Sequence, residues 1–291
     1  MKVDFFSVLG FDANTEWVLT GSLLLGFASG TIGSFVLLRK QSLISDAMAH
    51  ATLPGVCIMY ILFQVKSIPL FLIGAALTGL LATQAIQLII HRSRIKTDAA
   101  IGIVISVFFG FGIVLLTYIQ QHFGGSKAGL DTFIFGQAAS LVKSDVQVIT
   151  IGSLILTMIA ALFFKEFKTV VFDPAFAKGI GLPVRLLDSL LFSMVLLVVV
   201  IGIQMVGVVL IAALLITPPL AARFWTEQLG VMAFLGGSFG AVSGISGAIL
   251  STTIDHLPTG PMMVLSASFI FFLSFLFGSK KGMLPRMVKL L

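Results

Sequence analysis

The chain has 291 residues, 58% of them hydrophobic and only 10% charged, where a soluble domain carries roughly 25% charged residues. This balance excludes a water-soluble enzyme or nucleic-acid-binding module. The net charge of +6 resides in short basic clusters between apolar runs, which suits membrane orientation and implies no nucleic-acid partner.

A bilayer core needs about 20 apolar residues per helical crossing. The first such stretch, 17–38, is longer than the apolar run of a signal peptide and follows Asp4, Asp12 and Glu16, so it reads as a span rather than a cleaved leader. Further candidates lie near 43–63, 68–90, 99–119, 146–164, 189–206, 207–222, 229–251 and 260–278. The stretch 189–222 admits two readings: one long helix, giving eight spans, or two short ones parted around Gly202 to Gly207, giving nine. With nine spans and the N-terminus outside, fourteen of the eighteen Lys and Arg residues fall inside; with eight they divide nine and nine. The positive-inside rule favours nine. The expected fold is an all-α integral membrane protein of eight to nine transmembrane helices, forming a single transmembrane domain over 1–291.

Small residues recur every four positions at Gly236, Gly240, Gly244 and Ala248, and again at Gly26 and Gly30. That spacing lets helices approach closely in lipid. Pro218 and Pro219 must break or kink their helix. Two polar segments remain. Residues 120–145 lie outside, either on the membrane surface or partly re-entering. Residues 165–188 lie inside, and their DPAFAKGIGLP core reads as a short helix with Asp173 as N-cap, Pro174 at the first helical position and glycines past its end.

The chemistry concentrates in SLISDAMAHATLPG. Asp46 and His50 are four residues apart, so on a helix they share a face about 6 Å apart along the axis. An ionised group at bilayer depth costs roughly 2.5–3.5 kcal/mol even on the lenient insertion scale, which marks it as a functional candidate. Pro54 cannot donate to the carbonyl of residue 50, so a carboxylate, an imidazole and a released carbonyl lie near one point. The plainer alternatives are an interfacial Asp46 capped near Ser42 and paired with Arg39 or Lys40, and a His50 bonded to a neighbouring helix. Lone Cys57 rules out an intrachain disulfide framework and reads as a small buried residue rather than a ligand. Asp255 and His256 are adjacent, precede LPTGP and mark a candidate outer mouth.

Three stretches, RKQSLISDAMAHATLPGV (39–56), FDPAFAKGIGLP (172–183) and VGVVLIAALLITPPLAA (206–222), in this order and spacing resemble the permease subunits of bacterial ABC importers for manganese, zinc or iron. The resemblance covers essentially the whole chain. It implies a type II importer-like permease in the bacterial cytoplasmic membrane, acting as a homodimer with the path between two copies. An ATP-binding subunit would dock on the cytoplasmic side and an extracytoplasmic metal-binding protein on the other. Segment 172–187, with Asp173, Pro174, Ala177, Gly179 and Gly181, would be the coupling element entering the ATPase. Asp46 and His50 would contact the transported metal, and two copies would supply up to two carboxylates and two imidazoles, a donor set that suits Mn²⁺ or Zn²⁺. No GxxxxGK[ST] loop occurs, and GGSKAG at 124–129 has the wrong spacing. Any ATP chemistry therefore belongs to another polypeptide, and this chain is expected to bind no cofactor of its own. The rival reading is a proton-coupled secondary cation transporter using Asp46 and His50 as a relay; the inverted repeats that would support it are not detectable.

Overall fold

A computed structural model describes residues 13–65, 67–122, 136, 143–253 and 257–284. Among them run the helices α1 (Ala13–Leu38), α2 (Ser42–Phe63), α3 (Ile68–Arg92), α4 (Thr97–His122), α5 (Lys143–Leu162), α6 (Phe164–Phe172) and α7 (Pro174–Gly179), followed by α8 (Val184–Val206), α9 (Val208–Arg223), α10 (Leu229–Thr253) and α11 (Thr259–Phe277). Among the described residues eight helices are long and apolar enough to cross a membrane, and α9 is a shorter apolar helix. The expected all-α membrane fold is thus what these residues form.

Glycine decides how the legs are directed. A Cβ on Gly26 would lie 2.2 Å from the Gly240 carbonyl oxygen, one on Gly30 2.0 Å from that of Gly236, and one on Gly244 2.4 Å from that of Ser22. Each step of four along α1 is matched by a step of four backwards along α10, so the two helices are antiparallel and in backbone contact. The small-residue spacing in both is helix packing.

Contacts with α1 also set the directions of the two helices in 189–222. Near its start α8 is tied to the end of α1 by an ion pair between Asp188 and Arg39; near its end the Ser22 hydroxyl donates to Met205 Sδ. It therefore runs antiparallel to α1. The chain turns at Gly207, whose φ of +95° only glycine adopts without strain. It then runs back along α1, with Leu215 and Pro219 against Gly33. The break parts two legs, as the nine-span reading requires, and the second is short because the turn lies inside the bundle. Met205 meets α1 at Gly21 and Ser22, eight residues from Ala13, or about 12 Å below it by helix rise. Gly136 is buried on this turn with φ +72°, its missing Cβ 2.5–2.7 Å from backbone atoms of Met205 and Val206. Between residues 122 and 143, Gly136 is the one residue described.

Helices α1, α2 and α8 form the interior, while α4, α5 and α11 leave most of their apolar surface outward, as lipid-facing helices do. Helix α2 is held on two sides. Gly55 and Gly74 bring it against α3, and Gly112 of α4 packs on Leu53 and Pro54.

Candidate metal site and coupling face

Helix α2 starts at Ser42 with Gln41 as its N-cap and no side-chain capping bond; Ser42 is the first helical residue, not the cap. Asp46 and His50 fall one turn apart on the same face, with His50 Nε2 3.4 Å from Asp46 Oδ1. The His50 side chain is 16% exposed and that of Asp46 37%. The imidazole stands edge-to-face on Phe109 of α4, centroids 4.6 Å apart, which fixes the ring plane. Its Nδ1 is buried without a hydrogen-bond partner. Pro54 lies inside α2 and brings no N–H to the His50 carbonyl.

One plain alternative for Asp46 is removed by the geometry. Arg39 does not turn to it but is bound through both nitrogens to Asp188, Nη2 lying 3.2 Å from Oδ2. Among the described residues His50 is the only charged-type partner of Asp46. The pair sets a carboxyl oxygen and an imidazole nitrogen side by side at the edge of the interior, a mixed donor set that a divalent cation accepts. Two donors do not complete a coordination sphere, and no cluster of three or more His, Cys, Asp or Glu side chains occurs among the described residues. Cys57, one turn beyond Pro54, is fully buried with Sγ toward the Gly112 carbonyl, and Met205 is fully buried at the α8–α9 turn. Asp255 and His256 lie outside the described residues.

The short helix α7 forms as its sequence dictates. The Asp173 carboxylate accepts from the Phe176 N–H at 2.9 Å, and Pro174 occupies the first turn. At the other end Leu182 N–H bonds the Ala177 carbonyl and Gly181 N–H that of Lys178, a Schellman closure with Gly181 in the left-handed position at φ +85°. Ala177 is the buried anchor, while Phe172, Phe176 and Ile180 are exposed. Pro183 follows and α8 begins, so α7 is joined through four residues to the helix whose Asp188 grips Arg39. Arg39 in turn is separated from α2 by only Lys40 and Gln41. A displacement of α7 therefore has a short, charge-linked route to the helix that carries Asp46 and His50.

Residues 12–278 match the family model described as the ABC 3 transport family. The chain belongs to this family. Membership makes it a membrane-spanning transport subunit, as the motifs at 39–56, 172–183 and 206–222 suggested, and leaves the proton-relay alternative without support. Among relatives, the chain is 56% identical over 278 residues to a manganese transport system membrane protein, MntC, of Bacillus subtilis; the match covers 96% of this chain and 64% of that protein. It thus spans less than two thirds of that relative's length. It is 42% identical over 273 residues to a zinc transport system membrane protein, TroC, of Treponema pallidum, covering 94% of this chain and 92% of the other. The solved structure of PsaBC from Streptococcus pneumoniae in complex with a Fab superposes with a TM-score of 0.83 at 32% identity, covering 100% of this chain and 99% of that one.

Sequence reasoning missed two members of this constellation. Asp188 carries no signal for a distant partner, because Arg185, three residues before it, is a basic neighbour within reach on the same helix; only the structure shows it bound to Arg39. Phe109 carried no signal, because contact between helices α2 and α4 is not written in either helix's periodicity.

Proposed function

We propose that the chain is the permease of a bacterial ABC importer that carries Mn²⁺ or Zn²⁺ into the cytoplasm, forming a single transmembrane domain in the cytoplasmic membrane. The observation that carries the reading is the Asp46–His50 pair, 3.4 Å apart on a buried helix, with Arg39 drawn away from it. Relatives named for manganese and for zinc match a mixed oxygen and nitrogen donor set, which accepts either metal. The metal is cargo, so two ligands from each copy of a homodimer supply enough attraction to admit the ion without holding it permanently.

In this account a separate ATP-binding subunit hydrolyses ATP and seats α7 through the exposed Phe176 and Ile180. Asp173, Pro174, Ala177, Gly179 and Gly181 shape segment 172–187 into a rigid lever. The lever moves α8, and Asp188 passes the movement through Arg39 to the start of α2. An extracytoplasmic metal-binding protein delivers the ion to the opposite face, with Asp255 and His256 at the mouth. The dimer works by alternating between states that contact the ion differently.

The test is cellular manganese and zinc content, measured by elemental mass spectrometry in a strain lacking the gene and complemented with wild type or His50→Ala at matched membrane levels. Wild type restores accumulation of one metal and His50→Ala does not. Equal restoration by both would remove His50 from the path, and no response of either metal to wild type would remove metal import.

A further inference from the structure

At the inner end of the bundle three long helices begin around one cavity of about 320 Å³. Gln41, the N-cap of α2, Thr97, the first residue of α4, and Arg185, the second residue of α8, all line it. Neither α2 nor α8 has a side-chain cap, although backbone carbonyls already take the Ile44 N–H of α2 and the Val184, Leu186 and Leu187 N–H groups of α8. Each helix N-terminus carries the equivalent of about half a positive charge.

The side chains add to this sign. Asp188 reaches the cavity but is neutralised by Arg39, whereas Arg185 makes no ion pair among the described residues. The cavity is thus net positive and unsuited to a metal cation on its way to the cytoplasm. Gln41 contributes a buried Oε1 with no hydrogen-bond partner, an acceptor awaiting a donor. The opposite wall sets Ile86 and Ile90 of α3 and Phe192 of α8 beside Thr83 and Gln87 of α3, so it is apolar in part.

We propose that this cavity holds the phosphodiester of an anionic phospholipid from the inner leaflet, with its polar headgroup toward Arg185 and Gln41 and its glyceryl and upper acyl region against Ile86, Ile90 and Phe192. A phosphate at convergent helix N-termini uses their dipoles together with the Arg185 guanidinium. A soluble phosphate would satisfy Arg185 and the helix ends but leave the apolar wall uncovered. A hydroxylated headgroup also supplies the donor that Gln41 lacks. Basic pockets between membrane helices on the cytoplasmic side recognise anionic headgroups in this way. Because Asp188 borders the cavity, the bound lipid would brace the same α8 start that the proposed lever moves.

The experiment is native mass spectrometry of the full-length permease released from nanodiscs of phosphatidylcholine and phosphatidylglycerol in a four-to-one ratio. It compares wild type, Arg185→Gln and Lys280→Gln, the last an inner-face basic residue away from the cavity. Wild type retains phosphatidylglycerol above its share of the bilayer. Arg185→Gln lowers that enrichment about fivefold, the equivalent of roughly one near-surface basic contact, and Lys280→Gln leaves it unchanged. A second variant, Thr97→Phe, fills the cavity without altering charge and lowers the enrichment as well. Equal retention by wild type and Arg185→Gln would overturn the proposal. So would displacement of the lipid by inorganic phosphate, which would make this a soluble-anion site. Loss of ATP-binding-subunit association in Arg185→Gln with lipid retention intact would also overturn it, by assigning the residue to that contact.

Discussion

Replacing Asp188 with alanine strands the Arg39 guanidinium at the inner end of α1. Its side chain is 11% exposed, and that of Asp188 27%, so water replaces the lost partner only in part. A charge-assisted bond is worth about 1.5–3 kcal/mol, and removing one partner of a fully buried pair costs about 3–5 kcal/mol. The intermediate exposure places Asp188→Ala near 2–3 kcal/mol. Arg39→Ala, which leaves the more exposed partner alone, costs about 1–2 kcal/mol. The double variant should cost less than the two singles together, because each removes the same interaction. Reversible unfolding of the permease in mixed micelles measures the stability terms, and ATP-driven metal uptake by the reconstituted complex measures the functional one. If the pair is the link from α7 to α2, both singles hydrolyse ATP with reduced uptake, and the charge-swapped Arg39→Asp with Asp188→Arg recovers part of it. Additive stability losses, or uptake that stays proportional to ATP hydrolysis in both singles, would refute the reasoning.

The packing and the lever make further demands. Gly30→Ala puts a methyl 2.0 Å from the Gly236 carbonyl oxygen and should destabilise the bundle by about 1–3 kcal/mol. Gly102→Ala, where a methyl meets nothing within 4 Å, should be neutral or slightly stabilising by helix preference; comparable losses in thermal stability would count against the α1–α10 contact. Asp173→Ala removes the cap of α7 and should cost about 1 kcal/mol of local stability, read as faster amide exchange confined to 174–182. Phe176→Ala, at an exposed position, should leave unfolding of the permease alone within about 0.5 kcal/mol and weaken binding of the ATP-binding subunit about tenfold. Unchanged binding would move the contact elsewhere.

What could be read from the chain alone is what is local in sequence. The spacing of Asp46 and His50 follows from helix periodicity, the Asp173–Pro174 start and Gly181 end of α7 from capping chemistry, and the small-residue faces of α1 and α10 from their four-residue repeat. Charge counting even favoured the correct direction for α9. What stayed hidden is long-range. Arg39 and Asp188 are 149 residues apart, and nothing in either neighbourhood names the other, so the sequence offered Asp46 as the nearer candidate. The depth of the Gly207 turn was also out of reach, because hydropathy counts residues but does not fix where a short helix sits against its neighbours. Ser42 looks like a cap because its residue type favours that role, yet it is already the first helical residue, and the cap position falls to Gln41, which makes no side-chain capping bond.

The most direct test of the account is uptake of radioactive manganese by proteoliposomes. They would contain the permease with its ATP-binding subunit and metal-delivery protein, and wild type would be compared with the Asp46→Asn, His50→Ala double variant. ATP hydrolysis and vesicle orientation would be matched. The account predicts that the double variant folds, binds its ATP-binding subunit normally and takes up almost no metal. Uptake at the wild-type rate would contradict it and return Asp46 and His50 to helix packing.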